Sequence, residues 1–465
     1  MVVHRQGGVE RDLSVSPKDA LLYKIESKNA KVGVLGLGYV GLPVITAFAE
    51  AGFTTLGFDI LESVVEFVRS GNSHVGDVTP EAVSAMVEVG RLDTTTDFGR
   101  LSEVDAAIIC VPTPLGKTGD PDVSYIMRAL EEIRKNLRPG QLVILESTTY
   151  PGTTRELLQP ELEGDGLIAG EDFFLAFSPE RVDPGNTTWT FTNTPKVVGG
   201  LTEACRELST ALYASVIDEV VSVSSPEAAE LTKLLENTFR AVNIGLVNEM
   251  AMITDRLGID IWEVVNAAAT KPYGFMRFTP GPGLGGHCIP IDPHYLAWKM
   301  RTLQYRTRFI ELASEVNAEM PRYLISRVVQ ALNAHDKPVK GSRVLLLGVA
   351  YKANVGDVRE SPALDILELL RSDGANVSYH DPFVPSIKLE SSTLQSEPLT
   401  EDLLRDSDLV VITTDHKNVS YDLVLEHAPI VLDPRNALCG KKGRALVYPI
   451  AGPPKVGSGG EFNRE

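Results

Sequence analysis

Short apolar runs recur along the first half of the chain: KVGVLG (31–36), TTLGF (54–58), AAIICV (106–111), LVILE (142–146), FFLAF (173–177), KVVGG (196–200) and EVVSV (219–223). Most are separated by stretches with helical periodicity, a pattern that predicts buried parallel strands covered by helices on both faces. A long helical stretch follows, with Ser225 as N-cap, Pro226 in the first turn and Gly258 as its end. Its 32 or so residues span roughly 48 Å at about 1.5 Å each, enough to bridge two domains. Its apolar positions exceed one stripe, so it is expected to meet a partner surface such as a second subunit. A second α/β unit opens at Ser342, with strands at RVLLLGVAY (343–351), NVSYHD (376–381), DLVVITT (408–414) and IVLD (430–433), and a helix over 361–374. Ahead of the first strand, Ser16 and Pro17 predict a short helix to about Ser27. The Gly-, Pro- and Ser-rich stretch from Gly452 predicts a disordered tail. The order is α/β, long helix, α/β, without a short-period repeat.

Composition narrows the class. A length of 465 residues suggests about three domains, and 43% apolar with 23% charged residues fits a globular chain. Lys plus Arg is 44 and Asp plus Glu is 62, so the net charge of 44 − 62 = −18 repels a nucleic-acid backbone. One small phosphorylated ligand remains compatible, because it needs only a local cluster of cations. No apolar run reaches the ~18 residues of a membrane span, and MVVHRQGGVERDL lacks the apolar core of a signal peptide. The expected location is cytoplasmic. Cys110, Cys205, Cys288 and Cys439 are scattered without CxxC spacing, which argues against zinc or thioredoxin-type sites. HExxH is absent too, and no metal is expected.

The chemistry gathers in a few motifs. GLGYVG places Gly36, Gly38 and Gly41 between a strand and a helix. This is the context in which such glycines make a tight turn, admit a pyrophosphate and let the helix pack on the sheet. Asp59 ends the next strand, 18 residues after Gly41, where a carboxylate suits the two ribose hydroxyls of NAD and repels the 2′-phosphate of NADP. VPTP (111–114), ESTTYPGTT (146–154) and SPERVDPGN (178–186) lie at carboxyl ends of strands, the edge at which open α/β sheets bind ligands. Thr113, Ser147, Thr148 and Glu180 are therefore candidates, although singly such residues are more often caps and turns. GPGLGGHCIPIDP (281–293) presents His287 and Cys288 on a loop of glycines and prolines, with Asp292 four residues beyond the cysteine. Sequence does not decide whether His287 favours the thiolate or is structural. Lys233 and Asn237 share a helix face, and Lys352 and Arg359 flank a strand-to-helix turn suited to a diphosphate or to a surface ion pair.

Together GLGYVGLP, VPTP, EST, SPE, TKLLEN, GGHC-IPID and YKANVGDVRES, in this order from residue 31 to about 436, resemble the UDP-glucose/GDP-mannose dehydrogenase family. The resemblance implies an α/β fold of two Rossmann-like doubly wound domains joined by a long central helix. The expected layout is an extension over 1–30, an NAD-binding domain over 31–224, a central helical and dimerisation region with the catalytic loop over 225–330, a UDP-binding domain over 331–451 and a flexible tail over 452–465. It implies a double oxidation of a primary alcohol to a carboxylate, consuming two NAD. Cys288 forms a thiohemiacetal and then a thioester that water hydrolyses. Lys233 and Asn237 stabilise the oxyanion or hold substrate, Asp292 assists proton transfer, and Thr148 and Glu180 position or activate the water. Cofactor contacts are implied for Gly36, Gly38, Tyr39, Val40, Gly41, Asp59, Thr113, Ser147, Thr148 and Arg359. Substrate contacts are implied for Glu180, Arg181, Lys233, Asn237, Arg277, Gly285 and Lys352.

Two departures from the UDP-glucose branch matter. That branch commonly reads GGSC with PKD and carries a second acid after PEFL. This chain has GGHC, Ile291 before Asp292, and Pro184 where the second acid would fall. Both variants resemble the branch acting on N-acetylated UDP-sugars, above all UDP-N-acetylglucosamine 6-dehydrogenases, and they leave the detailed role of Glu180 open. The alternatives are the same chemistry on UDP-glucose or UDP-N-acetylmannosamine, and a non-catalytic nucleotide-sugar binding protein.

Overall fold

A computed structural model describes residues 16–116, 119–164, 166–183, 186, 188–286, 289–389 and 392–457. The chain forms two compact units divided at Lys233, inside the longest helix.

In the first unit, Ser16 caps α1 (Pro17–Glu26) by accepting the Asp19 N–H at 3.1 Å. Then follow β1 (Lys31–Leu35), α2 (Gly41–Glu50), β2 (Thr54–Phe58), α3 (Glu62–Arg69), α4 (Pro80–Glu88), β3 (Leu92–Thr95), β4 (Ala106–Ile109), α5 (Ser124–Asn136) and β5 (Leu142–Leu145). The unit continues through α6 (Gln159–Glu163), β6 (Phe174–Phe177), β7 (Lys196–Gly200), α7 (Glu203–Ala214) and β8 (Val220–Val223). The sheet order is β3-β2-β1-β4-β5-β6-β7-β8. It is parallel from β3 to β6, and β7 pairs antiparallel with β6. The first six strands have the 3-2-1-4-5-6 order of a doubly wound nucleotide-binding sheet, whose chain reverses direction between β1 and β4. Alternation explains the double cover. Val32, Val34, Leu142 and Ile144 point into the core under α1, α2 and α7, while Leu35, Val143 and Leu145 face α5. The expected extension is in part a component of this unit, because Leu21 and Ile25 of α1 are buried in that core.

Helix α8 (Pro226–Leu257) has the predicted bounds and stops at Gly258, whose φ of +70° only glycine adopts easily. Residues 259–341, left without elements by the pattern reading, hold α9 (Ile261–Ala269), α10 (Asp292–Thr302) and α11 (Arg308–Asn333). The second unit continues with β9 (Arg343–Leu347), α12 (Pro362–Ser372), β10 (Asn376–His380), β11 (Ser386–Lys388), β12 (Thr393–Gln395), α13 (Glu401–Asp406), β13 (Leu409–Ile412), α14 (Tyr421–His427), β14 (Ile430–Asp433), β15 (Leu446–Pro449) and β16 (Lys455–Val456). Its sheet runs β10-β9-β13-β14-β15-β16, again doubly wound, with the reversal between β9 and β13. The later part of α8 (Val247, Ala251), α9, α11 and α12 cover one face. Leu404 of α13 and Val424 of α14 lie in the core on the other. The tail expectation needs correction at its start. Lys455–Val456 pair antiparallel with β15, and the Lys455 ammonium lies 2.6 Å from Asp260.

Candidate active site

The nucleotide loop follows β1 at the switch point of the first sheet. Gly36 has φ +91°, and a Cβ there would meet the Cys110 carbonyl oxygen at 2.8 Å. A Cβ on Gly41 would lie 1.8 Å from the Gly36 carbonyl oxygen, so helix and turn approach as closely as backbone allows. Around Gly38 there is nothing within 4 Å of a Cβ position. That open approach, with no side chain capping the first turn of α2, fits a pyrophosphate bound by helix N–H groups. Asp59 is half-buried. Its Oδ2 accepts Leu37 N–H and its Oδ1 accepts Leu61 N–H, both at 3.0 Å. Two of roughly four acceptor positions are thus used, which leaves two for ribose hydroxyls. Tyr39 is exposed and Val40 half-buried on the same loop.

Three more loops open on the carboxyl edge. Thr113 is half-buried after β4. After β5, Ser147 is buried and donates its hydroxyl to the Val111 carbonyl at 2.7 Å, tying two loops together; Thr148 next to it is half-buried. The loop is bolted to α8 by Glu230, a buried carboxylate that accepts Gly152 N–H at 2.6 Å and both the N–H and hydroxyl of Thr154 at 2.9 and 2.7 Å. Burial pushes this carboxyl up despite those donors. After β6, the Glu180 carboxylate accepts the N–H of Val182, Arg181 donates to the Pro195 carbonyl at 2.5 Å, and Lys233 of α8 donates its ammonium to the Glu180 carbonyl at 2.5 Å. Lys233 is only 7% exposed, so it is not a solvated surface lysine.

Pattern reading missed a buried ion pair on this edge. Lys196 at the start of β7 and Glu146 at the end of β5 lie 2.8 Å apart, at 4% and 0% side-chain exposure. The signals were present in the sequence: a lysine opening an apolar strand, and the acid of the EST motif. Cys110 is buried 3.7 Å from Glu146, and burial with that carboxylate pushes its thiol well up, away from thiolate character.

In the second unit, Asn237 of α8 donates to Asp292 at 2.5 Å, and both are buried. The structure therefore brings together two residues singled out separately. The glycine loop is built by close backbone contact. Gly281 N–H is held at 3.0 Å by Asn248, which itself donates to Asn317 at 2.9 Å. A Cβ on Gly285 would meet Tyr351 at 2.8 Å, and one on Gly286, with φ +86°, would meet the Tyr351 ring at 2.7 Å. Tyr351 belongs to the turn after β9 that carries half-buried Lys352. Arg359, further along that turn, forms an exposed ion pair with Asp357 at 2.6 Å, and Arg277 is exposed with a bond to Asn266 at 3.0 Å. Arg435, after β14, was missed by pattern reading. It donates to the Thr413 carbonyl at 2.9 Å, and Gly281 lies against it, its Cβ position 2.7 Å from the guanidinium. Cys288 and His287 lie outside the described residues. No group of metal-ligating side chains occurs among the described residues, and no described helix is long and apolar enough to cross a membrane.

Comparison with known proteins agrees with this geometry along most of the chain. Residues 30–217 match the NAD-binding domain, 227–319 the central domain and 345–440 the UDP-binding domain of the UDP-glucose/GDP-mannose dehydrogenase family. The UDP-N-acetyl-D-mannosamine dehydrogenase of Pyrococcus horikoshii is 34% identical over 417 residues, 88% of this chain and 96% of that one. The UDP-N-acetyl-D-glucosamine 6-dehydrogenase of Pseudomonas aeruginosa is 39% identical over 360 residues, 77% and 84% of the two chains. A solved structure of the Pyrococcus horikoshii UDP-D-ManNAc dehydrogenase superimposes with a TM-score of 0.83 at 33% identity, covering 90% of this chain and 99% of that one. An NAD-shaped glycine turn, a second doubly wound unit and these matches lead to one conclusion: the chain belongs to the UDP-glucose/GDP-mannose dehydrogenase family, NAD-dependent oxidoreductases acting on UDP-sugars.

Proposed function

We propose that the chain oxidises the C6 alcohol of UDP-N-acetylglucosamine to the carboxylate through a thioester on Cys288. The observation that carries this reading is the pair of sequence variants GGHC and SPERVDPGN, set in a chain 39% identical to a UDP-N-acetyl-D-glucosamine 6-dehydrogenase. Bound NAD supplies hydride acceptance for both oxidations. The chain's own groups do the rest. The Cys288 thiolate adds to the aldehyde carbon to give a thiohemiacetal. Loss of hydride from that carbon leaves a thioester, and water displaces the thiol to give the acid. Lys233, with one N–H fixed on the Glu180 carbonyl, neutralises the developing oxyanion. Asp292 orients the Asn237 amide and relays protons. Thr148 and Glu180 hold the water, and Lys352 meets the diphosphate. Arg359 faces the cofactor. The NAD-binding region over 31–224, the central region over 225–330 and the UDP-binding region over 331–451 are part of this proposal.

UDP-N-acetylmannosamine is the second reading, favoured by the 34% identical relative that covers 88% of the chain. NADH release across a panel of UDP-sugars tests both: kcat/KM is expected to be highest for UDP-N-acetylglucosamine. A maximum with UDP-glucose removes the N-acetyl reading, since a pocket built to bond an acetamido group rejects a sugar lacking it by large factors. We further propose a homodimer through α8, on which Leu235, Leu246 and Leu257 are 64%, 57% and 65% exposed. Light scattering is expected to give twice the chain mass, and a monomer at working concentration overturns it.

A further inference from the structure

We infer that Asn248 is a positioning residue for the loop over 281–292, the stretch of chain in which Cys288 stands. The inference rests on the reading of Cys288 as nucleophile above. Helix α8 grips this loop at both ends. At the far end, where α10 begins, Asn237 donates to Asp292 at 2.5 Å. At the near end, Asn248 accepts Gly281 N–H at 3.0 Å. The two asparagines are 248 − 237 = 11 residues apart. Eleven residues make about three turns, so both lie on one face of α8, about 16 Å apart along its axis. One helix thus sets the span of the loop.

Backbone groups fix the orientation of the Asn248 amide. Gly281 N–H can only donate, so Asn248 turns its oxygen there and gives its NH2 group to Asn317 of α11 at 2.9 Å. Asn317 in turn donates to the Ala241 carbonyl of α8 at 3.1 Å, a group that can only accept. Flipping either amide, or both, sets donor against donor or acceptor against acceptor. The relay exists because α11 lies close on α8 at Gly245, where a Cβ would come 3.3 Å from Ala313, one turn before Asn317. Asn248 and Asn317 are 0% and 4% exposed. Stability alone does not account for them, since replacing two bonded buried groups by apolar ones of the same shape is close to neutral. What an apolar pair cannot supply is the oxygen for Gly281. The loop is laid directly over the relay: a Cβ on Gly283, whose φ is +137°, would lie 3.3 Å from the Asn317 carbonyl oxygen. Deprived of its acceptor, the buried Gly281 N–H must move to find another, and the loop moves with it.

The test uses the full-length enzyme with NAD and UDP-N-acetylglucosamine, and reads kcat for acid formation, the Kd of NAD and Tm. Asn248→Leu is expected to lower kcat about ten- to a hundredfold, the effect of misplacing a reacting group by about 1 Å. It should leave the Kd of NAD unchanged, because the glycine turn over 36–41 is untouched. Asn317→Leu breaks the same relay but leaves the Gly281 acceptor in place; it is expected to lower Tm while kcat stays close to wild type. If Asn248→Leu does not fold, Asn248→Ser, whose hydroxyl is too short to reach Gly281, reads the same loss of kcat. A purely structural amide lowers Tm in these variants and leaves kcat alone. Wild-type kcat in folded Asn248→Leu or Asn248→Ser, or equal losses of kcat in Asn248→Leu and Asn317→Leu, overturns the proposal. Failure of the underlying reading looks different, because folded Cys288→Ala would then form acid at the wild-type rate.

Discussion

Two glycines of one turn, three residues apart, should fail in opposite ways when each becomes alanine. At Gly41 the new Cβ falls 1.8 Å from the Gly36 carbonyl oxygen, a backbone atom that cannot swing aside. Relieving the overlap means pulling α2 off the sheet at a point where Leu42, Val44 and Ile45 are fully buried, and overpacking of this kind costs about 1–3 kcal/mol or more. Gly41→Ala is therefore expected to lower Tm by several degrees and to lose NAD affinity only as a consequence. At Gly38 the Cβ meets nothing within 4 Å, so the free protein should tolerate alanine within about 0.5 kcal/mol. The methyl group instead occupies the approach path of the pyrophosphate. Displacing it from one charge-assisted N–H bond costs about 1.5–3 kcal/mol, which is about ten- to a hundredfold in Kd. Calorimetric titration with NAD and a thermal melt of each variant measure the two quantities separately. Wild-type NAD affinity in a folded Gly38→Ala protein would refute the reasoning, since the phosphates would then bind elsewhere on the loop.

Other expectations follow from the remaining site geometry. Asp59 has two acceptor positions left for ribose, so NAD is expected to be preferred over NADP by at least about tenfold, ~1.4 kcal/mol; Asp59→Asn should narrow the ratio in steady-state kinetics, and equal use of both by wild type contradicts it. Cys288→Ser is expected to form an oxygen ester that hydrolyses slowly, seen as substrate mass on the intact protein. Cys110→Ala and Cys205→Ala keep turnover if they fold, and wild-type acid formation by folded Cys288→Ala removes the thioester mechanism. Asp381 supplies the pH prediction. Burial pushes its carboxyl up, but His416 and the N–H groups of Val349 and Phe383 outweigh that and hold it below the ordinary value. A depressed folded pKa contributes stability above the ordinary carboxylate range, and this is lost as pH falls through the folded value. The drop in Tm between pH 6 and pH 3 should shrink in Asp381→Asn; an unchanged drop refutes it.

The legibility of this chain follows its chemistry. Buried parallel strands such as Leu142–Leu145 show as apolar runs because both faces are covered, and every run read as a strand became one. Strand β3, LDTT, did not show: Thr94 is fully buried yet polar, its hydroxyl satisfied by the Val65 carbonyl at 2.8 Å. Helix α11 carries Pro321 in its interior, a residue that argues against a helix until Met320, Leu324 and Val328 are seen packing it on the sheet. At the site, motif glycines were legible because their reason is backbone geometry. Glu146, Lys196, Glu230 and Arg435 were not, since each matters through a partner far away in sequence, as Glu230 does for Thr154 at 2.7 Å.

The two sheets reuse one device with different results, and the difference bears on what each unit recognises. In both, a glycine with positive φ follows the first strand, Gly36 at +91° and Gly348 at +81°, and an aspartate ends the neighbouring strand, Asp59 and Asp381. Asp59 spends two acceptor positions on backbone N–H groups and is half-buried. Asp381 spends all of its capacity. Its Oδ2 takes Val349 and Ala350 N–H at 2.7 and 3.1 Å, its Oδ1 takes Phe383 and Val384 N–H at 2.8 and 3.1 Å, and His416 closes on Oδ2 at 3.0 Å. At 3% exposure it has no position left for a ribose hydroxyl. His416 accepts Asn354 N–H on Nδ1 at 3.0 Å, which places its proton on Nε2, toward Asp381. The acid proposed to select a nucleotide in the first unit has its counterpart in the second as a bolt, clamping the turn that presents Tyr351 and Lys352. Under the proposed function, a ligand of the second unit is recognised by cations and close backbone, through Lys352, Arg435 and the glycine loop against Tyr351. That is the chemistry of a diphosphate, and it explains how one architecture serves a cofactor and a nucleotide sugar without confusing them.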